Sequence, residues 1–591
     1  MTLTSPPITP TMHETRIHAE KLATDNVIEI SNLSFRYPGA DQDTLRNVNL
    51  TVKRGDFVAV IGGNGSAKTT LCKTLNGLIP HYWNGEFAGG VKVDGIDTWE
   101  SSVAELSQKV GYVYQDFHNQ LVRPTVRDEV RFGPINFGLA DYAERADSAI
   151  ARLDISELTQ KFVWQLSGGQ AHLTALASVL ALTPDILIVD EPVAELDPER
   201  AQIIYERLKE LNEVHGITII TIEHHAEFIA RYAKSVVLMA QGTPVWHLPI
   251  DQALERLPEL EEHGIPAPQT YVAAQALGSL EIPRTVDQAV KAIAATGRVP
   301  KANWLNLAPE EPQPPESHPV VARAVNVSHG YKSVGGQLDP VLRDLNLSLR
   351  QGDRVALVGG NGAGKSTLMR LLAGINVPRS GDVLLGATNT RKSSAPRLAE
   401  YSSYLYQHPE LMFLKGSIKE DIELFPAQRK HAGTKELVTR ILEQVKLTQF
   451  ADRDGRGLSG GQQRRATLAI GLAMQPTVLL LDEPTSSLDV SSRHDVTAML
   501  ESLSHSIKCT VVATHDMQLV AEWANRVIVL SQGQIIADTT PRELFENTMI
   551  MAAARLTAPE VTRIGHELGI SPVPLTISEL QAAYGLQGEL A

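Results

Sequence analysis

Five short elements occur twice in this chain, in the same order and about 292 residues apart, and this internal repeat constrains the fold more than any other feature. The first set reads Gly62-Gly63-Asn64-Gly65-Ser66-Ala67-Lys68-Thr69, Gln115, Leu166-Ser167-Gly168-Gly169-Gln170, Ile186-Leu187-Ile188-Val189-Asp190-Glu191 and His224. The second reads Gly359-Gly360-Asn361-Gly362-Ala363-Gly364-Lys365-Ser366, Gln407, Leu458-Ser459-Gly460-Gly461-Gln462, Val478-Leu479-Leu480-Leu481-Asp482-Glu483 and His515. The repeat outlasts the motifs. Ala267-Pro268, Leu277-Gly278, Pro283 and Thr285 return at Ala558-Pro559, Leu568-Gly569, Pro574 and Thr576. Each half therefore carries its own C-terminal appendix. Four segments are expected: a mobile tail over 1–26, a first unit with appendix over 27–296, a linker over 297–320 and a second unit with appendix over 321–591. The linker contains Pro309-Glu310-Glu311-Pro312-Gln313-Pro314-Pro315, which reads as an extended spacer.

Composition narrows the class. With 591 residues the chain is long enough for two to four domains with sizeable cores. No apolar run approaches the ~20 residues that span a bilayer, and the N-terminus lacks a signal peptide's apolar core. Cys72 and Cys509 supply neither a disulfide framework nor a metal cluster; they read as small core residues in a reducing cytosol. A net charge of −14 argues against a protein that coats nucleic acid.

Apolar runs at Phe57–Ile61 and Arg354–Val358 precede the glycine-rich loops, and helix patterns follow them. Runs such as Ile186–Val189 suit strands buried on both faces of a parallel sheet, so the expected class is α/β. A more helical stretch separates Gln115 from Leu166 and Gln407 from Leu458.

Glycines in such a loop let backbone N–H groups encircle phosphates, and the helix N-terminus adds partial positive charge. Gly62, Asn64, Gly65, Gly359, Asn361, Gly362 and Gly364 form the two cradles; Lys68 and Lys365 neutralise phosphate charge. Thr69 and Ser366 help hold Mg²⁺, with Thr70 and Thr367 beside them on the nucleotide. Asp190 and Asp482 end apolar strands, where a carboxylate takes Mg²⁺; Glu191 and Glu483 follow and polarise the attacking water. Gln115 and Gln407 sit where a residue touching Mg²⁺ and reporting the γ-phosphate belongs. His224 and His515 follow strands that bring an imidazole near that phosphate.

The Leu-Ser-Gly-Gly-Gln runs have no nucleotide to serve within their own half, but as helix starts they can cap an anion held elsewhere. With them the chain resembles a tandem ATP-binding-cassette (ABC) ATPase over nearly everything after residue 26. The resemblance implies two cassettes, each with a parallel-sheet core, an antiparallel β subdomain, a helical subdomain and a small C-terminal appendix. It also implies a head-to-tail sandwich with two ATPs at the seam. Ser459, Gly460, Gly461 and Gln462 would complete the first site, and Ser167, Gly168, Gly169 and Gln170 the second. Tyr37 and Tyr331 match the family's adenine-stacking aromatic. Tyr331 has a different spacing to its loop, and a core role is its alternative.

The run after the first glutamine is more specific: Asp116-Phe117-His118-Asn119-Gln120-Leu121, Pro124-Thr125-Val126, Asp128-Glu129-Val130 and Phe132-Gly133-Pro134. It resembles the ATPase subunits of energy-coupling-factor (ECF) importers, as does Ile222-Glu223-His224. That likeness implies a motor on the cytoplasmic face of the membrane, docked on a transmembrane coupling subunit, with a small membrane subunit capturing a vitamin, vitamin precursor or metal ion. Sugar-importer ATPases and ribosome-associated tandem cassettes are the alternatives. One departure stands out. Ala67 replaces the glycine that Gly364 keeps; if the position needs positive φ, its β-carbon costs about 1–2 kcal/mol, and weaker ATP binding at the first site is the expectation.

Overall fold

The computed structural model describes residues 26–586 apart from 194–195, 197, 302–303, 305–316, 333–337, 487, 489 and 504–506. The tail expected over 1–26, save Asn26, and the Pro-rich part of the linker lie outside the described residues.

The continuous apolar runs become strands buried at every position: Phe57–Ile61, Ile186–Asp190 and Thr218–Ile222. They lie in a six-stranded sheet ordered Thr243–Pro249, Ser235–Ala240, Phe57–Ile61, Thr218–Ile222, Ile186–Asp190, Val110–Val113. Neighbours pair in parallel except for the antiparallel edge pair Thr243–Pro249 with Ser235–Ala240. The second half builds the same sheet from Gln534–Thr539, Arg526–Ser531, Arg354–Val358, Cys509–Ala513, Val478–Asp482 and Ser402–Leu405. Parallel strands send their C-terminal ends to one edge, which is where open α/β sheets hold ligands. The phosphate loop, Asp190-Glu191 and His224 all leave the sheet there, from three adjacent strands.

A separate antiparallel sheet of four strands accompanies each core: Leu45–Lys53, Asn26–Arg36, Glu86–Val93 and Ile96–Asp97 in the first half. Its counterpart is Leu338–Arg350, Val320–Lys332, Ser380–Leu385 and Thr388–Asn389. The helical stretches are Val126–Asn136 with Tyr142–Arg152, and Ile418–Gln428 with Thr434–Gln444. Thr125 and Ser417 cap the first helix of each pair by accepting from the N–H groups of Asp128 and Glu420. The fold is α/β, with two cassettes. Cys72 and Cys509 are free and buried.

The chain divides into two compact units. One comprises Met1–Leu166, Gln170–Pro192 and Ile204–Arg256; the other comprises Ser167–Gly169, Val193–Ile203 and Leu257–Ala591. Within the second unit the two appendices share a single core. Helices Gln269–Ala276 and Val286–Ala295 bring Leu277 and Ile293 against Ile564 and Leu580 of Glu560–Glu567 and Ile577–Ala583. The repeated residues perform the same tasks in both: Gly278 and Gly569 take positive φ just after helices Gln269–Ala276 and Glu560–Glu567, and Thr285 and Thr576 cap the helices that follow.

Within the segment read as a linker, residues at both ends take part in neighbouring structure. Trp304 is 2% exposed and sits in the shared appendix core, its indole N–H donating to Pro572 O at 2.8 Å. At the other end Val320 already opens the strand Val320–Lys332.

Candidate active site

Each phosphate loop leaves a buried strand and runs into a helix, Lys68–Leu75 or Lys365–Leu372. Gly62 and Gly359 take φ of +141° and +145°, and a β-carbon on either would fall 2.1 Å from the carbonyl oxygen of Met239 or Leu530. Only glycine fits there. Lys68 and Lys365 are buried at the loop centres. Lys68 Nζ donates to Gly62 O at 2.8 Å and Gly63 O at 3.0 Å; Lys365 Nζ donates to Gly359 O at 2.6 Å and Gly360 O at 3.4 Å. Asn64, Gly65, Asn361 and Gly362 form the exposed crests.

Ala67 has φ +73° and Gly364 φ +105°, so this loop position requires the left-handed region in both cassettes. The Ala67 methyl packs against the first cassette's core. The second cassette has no such room: a β-carbon on Gly364 would lie 2.7 Å from Leu342 Cδ2.

Tyr37 and Tyr331 occupy matching places, their hydroxyls 3.4 Å and 3.3 Å from Thr70 Oγ1 and Thr367 Oγ1. The three extra residues between Tyr331 and its loop fall before Leu342. The hydroxyl contact is the same in both halves despite the added length.

Asp190 and Asp482, each 4% exposed, end their strands and accept a hydroxyl that sequence reading missed. Tyr112 OH donates to Asp190 Oδ2 at 3.1 Å, and Tyr404 OH to Asp482 Oδ2 at 2.6 Å. The signal was present: Tyr112-Val113-Tyr114-Gln115 and Tyr404-Leu405-Tyr406-Gln407 place the same tyrosine three residues before each glutamine. Burial and then the Glu191 charge push Asp190 up to about 6, against hydrogen bonds from Tyr112 and Thr69.

Glu191 and Glu483 follow at φ +50° and +49°, pinned by N–H bonds to Ile222 O at 3.1 Å and Ala513 O at 2.9 Å. A non-glycine residue in that region stores about 1–3 kcal/mol, held by the surrounding sheet. The twist turns each carboxylate off the strand line. Glu191 receives Gln115 Nε2 at 2.6 Å and lies 3.1 Å from His224 Nε2. Glu483 lies 2.9 Å from His515 Nδ1. Burial works against both charges of that pair, yet their attraction wins: His515 is held above the ordinary imidazole value. Glu483, with help from Lys365, is held below the ordinary carboxylate value. In the second cassette a cleft of about 300 Å³ is lined by Asn361, Lys365, Ser366, Gln407, Asp482, Glu483 and His515.

The signature residues start helices Gly168–Leu180 and Gly460–Ala473. Gln462 Oε1 accepts from Ser459 N–H at 3.1 Å, so this side chain serves its own helix start. Gly461 is buried, and a β-carbon there would meet Ser492 Oγ at 2.2 Å. Ser459 and Gly460 are exposed, and no signature residue is among those lining the second cassette's cleft.

Cassette-specific chemistry follows the signature. Arg464 Nη1 donates to Tyr406 O at 3.1 Å, tying its helix to the glutamine strand. At the equivalent place His172 stacks on Phe117, with ring centroids 4.8 Å apart. Burial, and then the nearby His118, push His172 down to about 4. Glu223, where the second cassette has Thr514, is buried and accepts from Tyr205 OH, from His225 Nδ1 at 2.6 Å and from the His224 and His225 N–H groups. The motif run after Gln115 is likewise spent on shaping the loop. Gln120 bonds Tyr114 N–H and Tyr112 O, and Glu129 accepts from Val122 and Arg123 N–H.

The ABC transporter family model matches residues 45–194 and 342–486. A provisionally named ABC transporter ATP-binding protein of Methanosarcina mazei is 33% identical over 93% of this chain and 95% of its own length. Another such protein, of Streptococcus mutans, is 32% identical over 93% and 97%. Among solved structures, cbiO1 of Clostridium perfringens, described as part of the ABC transporter complex cbiONQ, is 30% identical. That likeness covers 40% of this chain and 94% of the solved one, with a TM-score of 0.37. The chain belongs to the ABC transporter family and is an ATP-binding ATPase with two cassettes.

Proposed function

We propose that this chain is the ATP-driven motor of an importer of energy-coupling-factor type, peripheral on the cytoplasmic face of the membrane. The single observation that carries this reading is the glutamine loop of the first cassette. Gln115 bonds Glu191, and the ECF-like run beyond it is anchored internally by Gln120 and Glu129. The loop is thus built to pass motion from the nucleotide to a partner docked beside it. Exposed apolar side chains flank it, Val122 in the first cassette and Leu411 and Leu414 in the second. No helix among the described residues is long and apolar enough to cross a membrane; in this reading, separate membrane subunits form the solute path.

In this reading the cassettes close head to tail on two ATPs, with Ser459 and Gly461 facing the Lys68 loop and Ser167 and Gly169 facing the Lys365 loop. Tyr37 and Tyr331 take the bases. Glu191 and Glu483 orient and deprotonate the attacking water, held by His224 and His515. Hard oxygen donors suit Mg²⁺, which takes few protein ligands. Asp190, bonded to the Thr69 hydroxyl, supplies such a set with Gln115, as would Ser366, Asp482 and Gln407. The ion would neutralise phosphate charge. Closing does work because ATP binds the closed state more tightly than the open one.

The test is co-purification with native membranes. A transmembrane coupling subunit retained with the chain supports the reading; recovery with ribosomes at low salt, or with a sugar permease, overturns it. In the same preparation Glu191→Gln combined with Glu483→Gln should cut ATP turnover at least ~100-fold while leaving ATP bound. Persisting turnover would remove the water-polarising roles.

A further inference from the structure

The phosphate loops repeat at a spacing of 297 residues but the glutamines at 292, so the first cassette is five residues longer between them. Strand pairing localises the excess. Val91 and Val383 are equivalent, pairing with Ile30 and Ala324 at the same place in their sheets. Leu75 and Leu372 are equivalent as the ends of the loop helices. The added residues therefore lie between Leu75 and Val91, in a segment that reads Pro80-His81-Tyr82-Trp83-Asn84-Gly85.

This insertion is aromatic and exposed: Tyr82 is 71% and Trp83 44% accessible. The two rings meet edge to face at 5.4 Å, and Trp83 meets Tyr37 in the same way at 6.4 Å, with the planes at 84°. Lys73, on the phosphate-loop helix, places Nζ 5.1 Å from the Trp83 ring centroid and so fixes the indole to that helix. The second cassette has no ring in the matching place among the described residues. There Asn376 Nδ2 donates to Tyr331 OH at 3.1 Å.

We infer that Trp83 is a second nucleobase-contacting residue of the first site, making with Tyr37 a right-angled aromatic corner for the purine of the bound triphosphate. A base lying flat on Tyr37 meets the indole perpendicularly, which is a favoured aromatic geometry. The solvent-facing ring pair, otherwise an unrewarded exposure of apolar surface, gains a partner when nucleotide binds. The first site then holds the base against two rings and the second against Tyr331 alone, so the two sites differ in base affinity as well as in loop chemistry. The inference rests on the reading that Tyr37 takes the base.

The experiment uses the full chain with Lys365→Ala, so that only the first site binds, and titrates ATP and inorganic tripolyphosphate by calorimetry. Trp83→Ala should weaken ATP about tenfold, the range of one base–aromatic contact, and leave tripolyphosphate unchanged. In a Lys68→Ala background, which reports the second site, the same substitution should change neither. Equal weakening of ATP and tripolyphosphate would mean that Trp83 merely supports the loop, and would overturn the inference. So would an ATP affinity within twofold of the parent while Tyr37→Ala still weakens ATP; the reading of Tyr37 would survive that result. Indifference to both substitutions would overturn the corner and the Tyr37 reading together.

Discussion

Ala67 illustrates how one methyl group moves an effect from one free energy to another. Its φ of +73° is the left-handed conformation, so the strain of about 1–2 kcal/mol is already present in the folded loop. The weaker ATP binding expected from sequence loses its basis, because Ala67 and Gly364 share a left-handed loop shape and the strain falls on stability. Ala67→Gly relieves that strain but frees the unfolded chain by about 0.4–1 kcal/mol and removes a methyl packed on the core. The thermal midpoint should move by no more than about 2 °C and ATP affinity by less than about threefold, checked by calorimetry. Gly364→Ala should cost ~1–3 kcal/mol, since its β-carbon also overlaps Leu342. Asp190 gives the second prediction at this scale. Its folded value of about 6 lies above the ordinary carboxylate value. Its contribution to stability is therefore full below the unfolded value and lost as pH rises through about 6. Asp190→Asn should make the nucleotide-free protein more stable at pH 7.5, by on the order of 2 kcal/mol, with the advantage fading below pH 4. Melting curves across that range are the check.

At the scale of elements, the two cassettes join the same helix to the same loop by different chemistry. Arg464 reaches a backbone carbonyl of the glutamine strand, whereas His172 stacks on Phe117 with neither ring nitrogen bonded. A buried imidazole pushed down to about 4 is neutral at physiological pH. Because its folded value is depressed, its contribution is present above the ordinary value near 6.5 and lost as pH falls through 4. His172→Phe keeps a ring against Phe117 and removes two unsatisfied polar atoms. It should stabilise the first cassette by about 1 kcal/mol at pH 7 and by more at pH 5, read by denaturant unfolding. A stability difference that does not grow on acidification would refute the assignment.

For the whole molecule, the decisive feature is that the appendices of both halves make one core, with Trp304 inside it. The repeat announced two appendices but not their union. Fragments 1–304 and 317–591, expressed separately and mixed, should associate through this core; shortening the first fragment to residue 256 should weaken that association at least tenfold in pull-down or sedimentation. In the intact chain Trp304→Ala should cost about 3–5 kcal/mol locally and open the linker to protease. Resistance equal to the parent's would show that the tryptophan does not clasp the appendices.

Local sequence was enough for what depends on nearest neighbours along the chain. Apolar runs at Phe57–Ile61 and Ile186–Val189, short and bounded by turn residues, read as strands buried on both faces, and the structure builds them so. A glycine-rich loop between strand and helix likewise has one shape, and the internal repeat doubled every such inference. Tertiary structure decided what depends on distant segments meeting. Tyr112 and Tyr404 became carboxylate partners because strand order sets them beside Asp190 and Asp482. Trp83 reached Tyr37 because pairing of the strands Asn26–Arg36 and Glu86–Val93 brings the inserted segment back to the phosphate loop. Trp304 joins a core shared by both appendices, its indole N–H on Pro572 O, 268 positions away. Burial and hydrogen bonding are settled in space, and only a packed fold states which side chains share it.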